Sequence, residues 1–250
     1  MIIIGKNPIL EILRTNAGEV NKVILLKTLK PDEKLKEIKS FCERENIPLM
    51  FLNRFQFEKY FNRKNKQEGI SQGCVAFTED YKYADLSEVI SSLDLKTNPV
   101  LVILDEITDP QNMGAIIRSA SCLGAVAVVI PKHRSAEINH TVIKSSSGAV
   151  NHIPVTRETN LVNAIKYLKQ SGFWIAGTDS CGDSNVCSKD LKIPLGIVIG
   201  SEGKGIRKIV RDNCDFIVKI PMSGTLDSLN ASVSAGIILY EILRQKTKIN

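Results

Sequence analysis

The sequence predicts an α/β protein of two units, a small one followed by a larger one. Three observations lead there. Apolar runs alternate with helix-like segments almost from end to end, the pattern of layered α/β folds. In the second half the apolar runs are continuous rather than alternating, as strands are when both faces of a parallel sheet are covered. A charged connector after Phe77 separates the halves, and a polar stretch with two glycines (residues 63–73) reads as a loop within the first. At 250 residues the chain can give each unit a core of its own. No internal repeat or low-complexity segment is present.

Taken in order, residues 22–27 (KVILLK), 47–52 and 74–77 read as strands of the first unit, with helices over 7–14, 32–45 and 55–61. Asn7 followed by Pro8 suits an N-cap and first helical position, and Pro31-Asp32 opens the second helix similarly. The connector holds one helix, over 86–93. Strands of the second unit fit 100–104, 125–130, 174–178, 195–199 and 216–220. Its helices fit 112–123, 135–147, 160–171, 205–211 and 228–246. The resulting division is 1–78, a linker at 79–95, and 96–250.

Composition excludes several classes. With 43% hydrophobic and 24% charged residues, the chain matches ordinary soluble globular proteins. No apolar stretch approaches the roughly 18–20 residues a membrane span needs. The start, MIIIGKNPILEIL, has neither a basic n-region nor a small-residue cleavage site, so a cytoplasmic location is expected. The six cysteines form no C-x-x-C pair and the three histidines have no ligand spacing beside them, so no metal site is expected. A net charge of +6 favours a polyanionic partner without proving one. Residues 1–82 carry 15 Lys/Arg against 11 Asp/Glu, with a local cluster at Arg63-Lys64-Asn65-Lys66.

Three segments just beyond expected strands stand out, where open α/β sheets bind ligands. The first is DEITDPQNMGAIIRSA, residues 105–120. Asp109-Pro110 starts a turn, and Gly114 could let a helix pack closely. Asn112 and Arg118 are either solvated helix residues or polar groups near a helix N-terminus suited to phosphate or ribose. The second is LGIVIGSEGKG, residues 195–205, a buried strand running into Gly200, Gly203 and Gly205 with Glu202 and Lys204 between them. Glycines permit positive φ and close approach of backbone to a ligand. Val198 stands where a Walker A motif requires glycine, and the glycine spacing is not G-x-G-x-x-G. A nucleotide turn of another type and a plain connector both remain open. The third is IPMSGTLDSLNASVSAGIILYE, residues 220–241. Here a polar glycine loop precedes a helix opened by Ser228-Leu229-Asn230. Ala231, Ser232, Ser234, Ala235 and Gly236 give it a thin face for close packing, while Ile237, Ile238 and Leu239 read as core.

Together these segments resemble the signature motifs of the SpoU (TrmH) branch of the SPOUT RNA methyltransferases, in order, separation and residue detail. SSSGAVNHIPV at 145–155 is a further match, and GKNPILEIL with SQGCVAF extends the resemblance over essentially the whole chain. These last point to the RlmB-like subgroup, which modifies a guanosine of large-subunit ribosomal RNA. Two departures are visible: Ser71 where relatives often have histidine, and Ala231 where valine is common.

The resemblance implies a small ribosomal-protein-like α/β substrate-binding domain and a catalytic α/β domain. The latter would end in a deep trefoil knot from Leu195 to about Arg244. It also implies a homodimer with the knot at its interface. The cofactor would be S-adenosylmethionine, cradled near Gly200, Gly203, Gly205, Ile220, Met222 and Leu229. The reaction would be ribose 2′-O-methylation of RNA, with Asn112, Arg118, Glu202, Ser228, Asn230 and Ser232 at the active-site positions. A ribose hydroxyl is a poor nucleophile, so oxygen, methyl carbon and sulfur must be aligned and the hydroxyl proton removed. A guanidinium loses its proton only at great cost. Arg118 is thus better suited to clamp phosphate or alkoxide, with Glu202 or water taking the proton. The competing expectations are a transfer-RNA methyltransferase, a non-catalytic RNA-binding ribosome-assembly factor and, more remotely, a nucleotide-dependent oxidoreductase.

Overall fold

The computed structural model describes residues 2–62, 73–182, 184–224 and 228–247. The basic run at 63–66 and Ser71 lie outside them. The chain divides into two compact units, Met1–Tyr81 and Lys82–Asn250.

The first unit is a four-stranded mixed sheet of β1 (Ile2–Ile4), β2 (Val20–Leu26), β3 (Leu49–Leu52) and β4 (Cys74–Thr78), in the order β1-β4-β2-β3. Strand β4 runs antiparallel to β1 and β2, while β3 is parallel to β2. Helices α1 (Lys6–Thr15) and α2 (Glu33–Arg44) bury Ile9, Leu13 and Ile38 against Val23 and Leu25. Helix α3 (Arg54–Asn62) covers the other face, where Phe57 packs on Ile24 and Val75. Asp32 caps α2 as expected, accepting from the Leu35 amide at 2.8 Å. Asn7 does not cap α1. The helix begins one residue earlier, from Gly5 at φ +102°, and the Asn7 amide oxygen accepts from Lys34 instead. Only glycine adopts that φ cheaply, which moves the start.

The second unit carries α4 (Leu86–Ser91), then β5 (Val100–Asp105), α5 (Pro110–Cys122) and β6 (Ala127–Pro131). Next come α6 (His140–Ser145), β7 (Val155–Glu158), α7 (Leu161–Gln170), β8 (Trp174–Thr178) and β9 (Ser184–Asn185). The chain closes with β10 (Leu195–Gly200), α8 (Lys208–Arg211), β11 (Phe216–Lys219) and α9 (Ala231–Lys246). All seven strands are parallel, in the order β7-β6-β5-β10-β8-β11-β9. Helices α4 and α7 cover one face, packing Leu86, Ile90, Leu161 and Ile165 on Leu101, Ile103 and Val198. Helices α5 and α9 pack on each other, and α9 also meets β10.

Several sequence expectations change here. Of the stretch read as a linker, residues 82–95 fall in the second unit, where Leu86, Val89 and Ile90 enter the core and Ala84 bridges to Thr156. The helix expected over 135–147 spans only His140–Ser145, since Asn139 caps it at the Val142 amide. The final helix starts at Ala231 rather than Ser228 because Asn230 is its cap, and α8 starts at Lys208 rather than Gly205. Ile238 and Leu239 are buried, but Ile237 is 39% exposed. It joins Val233 and Tyr240 in an exposed apolar stripe on α9. Gly114 does serve close packing: a Cβ there would lie 1.8 Å from Ser145 Oγ on α6.

Near the end of α9, Gln245 takes the place of a strand neighbour. Its Oε1 accepts from the Leu191 amide at 2.9 Å, and its Nε2 donates to the Lys189 carbonyl at 3.1 Å. Among the described residues no helix is long and apolar enough to cross a membrane.

Candidate active site

Strands β5 and β10 lie side by side in register from Leu195–Val100 to Gly200–Asp105. From β5 the chain continues to β6 on one side, while beyond β10 lie β8 and β11 on the other. The carboxyl ends of β5 and β10 therefore form the switch point at which such sheets hold ligands.

Beyond β10 the backbone folds into a turn closed by two hydrogen bonds between Ser201 and Gly205, of 3.1 and 2.9 Å. Gly203 and Gly205 have φ of +79° and +66°. Gly200 has a different reason to be glycine: a Cβ there would lie 2.2 Å from the Gly205 carbonyl carbon. Glu202 is carried by this turn.

The Glu202 carboxylate meets two other segments. Asn112, in the first turn of α5, donates from Nδ2 to Glu202 Oε1 at 2.9 Å. Asn230, the cap of α9, donates from Nδ2 to the same oxygen and to Asn112 Oδ1, the latter at 3.0 Å. The Ala231 amide reaches Oε1 at 3.3 Å. A carboxylate only accepts, which fixes Asn112 with its nitrogen toward Glu202 and its oxygen toward Asn230. Asn230 must then present nitrogen to the site and oxygen to its own helix. That oxygen accepts from the amides of Ser232 and Val233 at 2.9 and 3.3 Å, and from the Ser232 hydroxyl at 2.6 Å. One side chain thus caps a helix and completes the cluster.

Beside this cluster is a cavity whose walls include all six residues expected at a cofactor: Gly200, Gly203, Gly205, Ile220, Met222 and Leu229. Glu202 and Ser228 line it too. A Cβ on Gly203 or Gly205 would meet nothing within 4 Å, so a ligand can lie directly on bare backbone there. Ile199 and Ile238 add apolar wall. Thr178, Asp179 and Ser180, at the end of β8, form a wall that the sequence reasoning missed. Asp179 is fixed by the Cys181 amide at 2.8 Å and by Arg211 at 2.7 Å. The strand ending in Thr178 was legible, but nothing local marks its last residues as lining a cavity.

Arg118 is not brought to this cluster. It is exposed on α5. Six residues along a helix place it about 9 Å further down the axis and roughly 240° around from Asn112. Among the described residues, no group of three or more His, Cys, Asp or Glu side chains could hold a metal.

The site can be set beside known proteins. Residues 99–240 match the SpoU rRNA Methylase family, and residues 2–84 match the RNA 2′-O ribose methyltransferase substrate-binding domain. A TrmH-family tRNA/rRNA methyltransferase of Bacillus subtilis, YacO, is 36% identical, covering 99% of this chain and 96% of the relative. A counterpart from Staphylococcus saprophyticus is also 36% identical, covering 100% and 97%. The crystal structure of the SpoU methyltransferase AviRb from Streptomyces viridochromogenes, in complex with the cofactor AdoMet, superposes with a TM-score of 0.69. It is 25% identical, covering 98% of this chain and 90% of that one.

Proposed function

As this chain belongs to the SpoU rRNA methylase family, we propose that it methylates a ribose 2′-hydroxyl of RNA, with a guanosine of large-subunit ribosomal RNA as its target. The observation that carries the reading is the convergence of Asn112, Glu202 and Asn230 beside a cavity floored by a glycine turn. S-adenosylmethionine suits that cavity: bare backbone at Gly203 and Gly205 offers room, Ile199, Ile220, Met222 and Leu229 give apolar contact, and Thr178 to Ser180 add polar groups. When bound, it supplies an electrophilic methyl carbon on a sulfonium.

The protein's own groups then orient the hydroxyl and take its proton. All donors to Glu202 among the described residues converge on Oε1, which leaves Oε2 as the acceptor. Asn112 and Asn230 hold the carboxylate still so that its approach is pre-organised. Ser228 lines the cavity and Ser232 completes the helix cap. Arg118, off the cluster in the single chain, fits a clamp on RNA phosphate. The exposed stripe of Val233, Ile237 and Tyr240 supports a homodimer through α9. In this reading residues 1–78 engage RNA and 96–250 bind the cofactor and carry out the transfer.

The test is a map of 2′-O-methylation in RNA from cells with and without this protein. Loss of one mark on large-subunit ribosomal RNA is the expected result. Loss confined to transfer RNA would reassign the substrate, and an unchanged map with intact RNA binding would favour an assembly factor.

A further inference from the structure

The turn carrying Glu202 is tied at both ends to a single residue outside it. At its start, Gly200 pairs in register with Asp105, the last residue of β5. At its far end, the Arg207 amide donates to Asp105 Oδ2 at 2.8 Å. The Arg207 guanidinium donates from Nε to Oδ1 at 2.7 Å, and its terminal nitrogen pairs with the same oxygen at 2.6 Å. Asp105 is 0% exposed, at the end of a wholly apolar strand, Val100–Leu104. A buried carboxylate is costly unless a charge and several hydrogen bonds compensate it. The parallel pairing of β5 with β10 needs no such group, so the carboxylate answers to what lies beyond the strands.

What lies beyond is the site. From Asp105 the chain passes through Glu106, held at φ +57°, and on to α5 with Asn112. Glu106 pairs with Arg134 at 3.2 Å and approaches Arg207 at 3.6 Å, so this exit is anchored as well. One carboxylate therefore fixes the two backbone segments whose side chains meet in the 2.9 Å Asn112–Glu202 bond.

We propose that Asp105 and Arg207 are positioning residues for methyl transfer: together they set where Glu202 stands relative to Asn112, without touching RNA or cofactor. The inference rests on the reading of Glu202 as proton acceptor.

A double-mutant cycle on the full-length protein tests it. Asp105→Asn and Arg207→Gln would be made alone and with Glu202→Gln. For each, turnover and KM on RNA at saturating S-adenosylmethionine would be measured alongside thermal melting. Misplacing a reacting group by an ångström costs up to about 10²-fold, so each single variant should lose about 10- to 10²-fold in kcat. The KM for RNA should change less than about threefold, as expected when no ground-state contact is lost. In the Glu202→Gln background the further loss should be under about threefold, because residues acting through one group are not additive. A purely structural pair would instead lower kcat by the same factor in both backgrounds, and that multiplicative result would overturn the proposal. If Asp105→Asn fails to fold, Arg207→Gln completes the same cycle, since its partly exposed side chain leaves the backbone bond to Asp105 in place. Full turnover in Glu202→Gln alone would instead sink the assignment of Glu202, an outcome separate from additivity.

Discussion

In the first unit the edge strand β3 leaves Met50 and Phe51 exposed, whereas every residue of β5 in the second unit is buried. An edge strand left uncovered presents side chains along its length; a doubly covered parallel sheet can present them only where strands end. The second unit accordingly gathers its polar groups at the tips of β5, β8 and β10, as Asp105, Thr178 and the Glu202 turn. The first unit offers surface: Phe51 under the Lys39 ammonium at 5.1 Å, and Phe55, 74% exposed. Strand tips give precision, and open faces give area for an extended partner.

The contrast predicts that damage at the tips lowers turnover while damage on the face lowers RNA affinity. The largest effect belongs to Glu202→Gln, which should reduce kcat by about 10²-fold or more, the range of a lost general base, with cofactor affinity nearly unchanged by calorimetry. A variant that binds RNA poorly but turns over normally at saturation would break the comparison. Next is Gly200→Ala, whose added carbon has only backbone to displace. It should weaken cofactor binding at least tenfold and lower stability by about 1–3 kcal/mol. Gly203→Ala adds a carbon in open space at positive φ and should lose only about 1–2 kcal/mol, so equal effects from the two would refute the steric reading.

Among the first unit's exposed aromatics, Phe51→Ala with Phe55→Ala should raise the KM for RNA about tenfold while leaving kcat alone, as removal of base-stacking surface does. Unchanged KM in a filter-binding or kinetic assay would deprive the first unit's aromatics of that role. The smallest effect is expected from Asp32→Ala. A hydrogen bond from Lys6, then the Leu35 amide, hold the Asp32 carboxyl below its ordinary value of 3.8. A depressed carboxyl contributes stability above its unfolded pKa and loses it as pH falls through the folded value. Hydrogen exchange in α2 should therefore quicken at neutral pH, and the difference from wild type should vanish in acid well below pH 3.8.

The strands of the second unit were legible because uninterrupted runs such as Val100–Leu104 have no other use in a chain of this polarity. Strand β7 was not: VTRE is short, with three polar residues of four, and its place at the sheet edge comes from pairing with β6 rather than from its own pattern. Strand β1 is only Ile2–Ile4, too short to announce itself. The helix expected over 135–147 was overextended because Ala136 and Ile138 are buried apolar residues in a loop, which mimics amphipathic spacing. In the site, Asn112, Glu202 and Asn230 were reachable through motif resemblance. The Asp105–Arg207 pair spans 102 residues, and no local signal says that this aspartate faces inward to an arginine. Arg118 is the reverse case: a motif names it, while its exposed place on α5 lies away from the cluster.

The hydrogen bonds that assemble the site cross 90 residues from Asn112 to Glu202 and 118 from Asn112 to Asn230. Contacts this distant in sequence form only after intervening loops have closed, and parallel sheets close slowly. Asn230 is supplied by the helix that the Gln245 side chain ties to residues 189 and 191. A refolding chain can therefore regain its sheet signal while still unable to react, and catalytic activity becomes the last property to return.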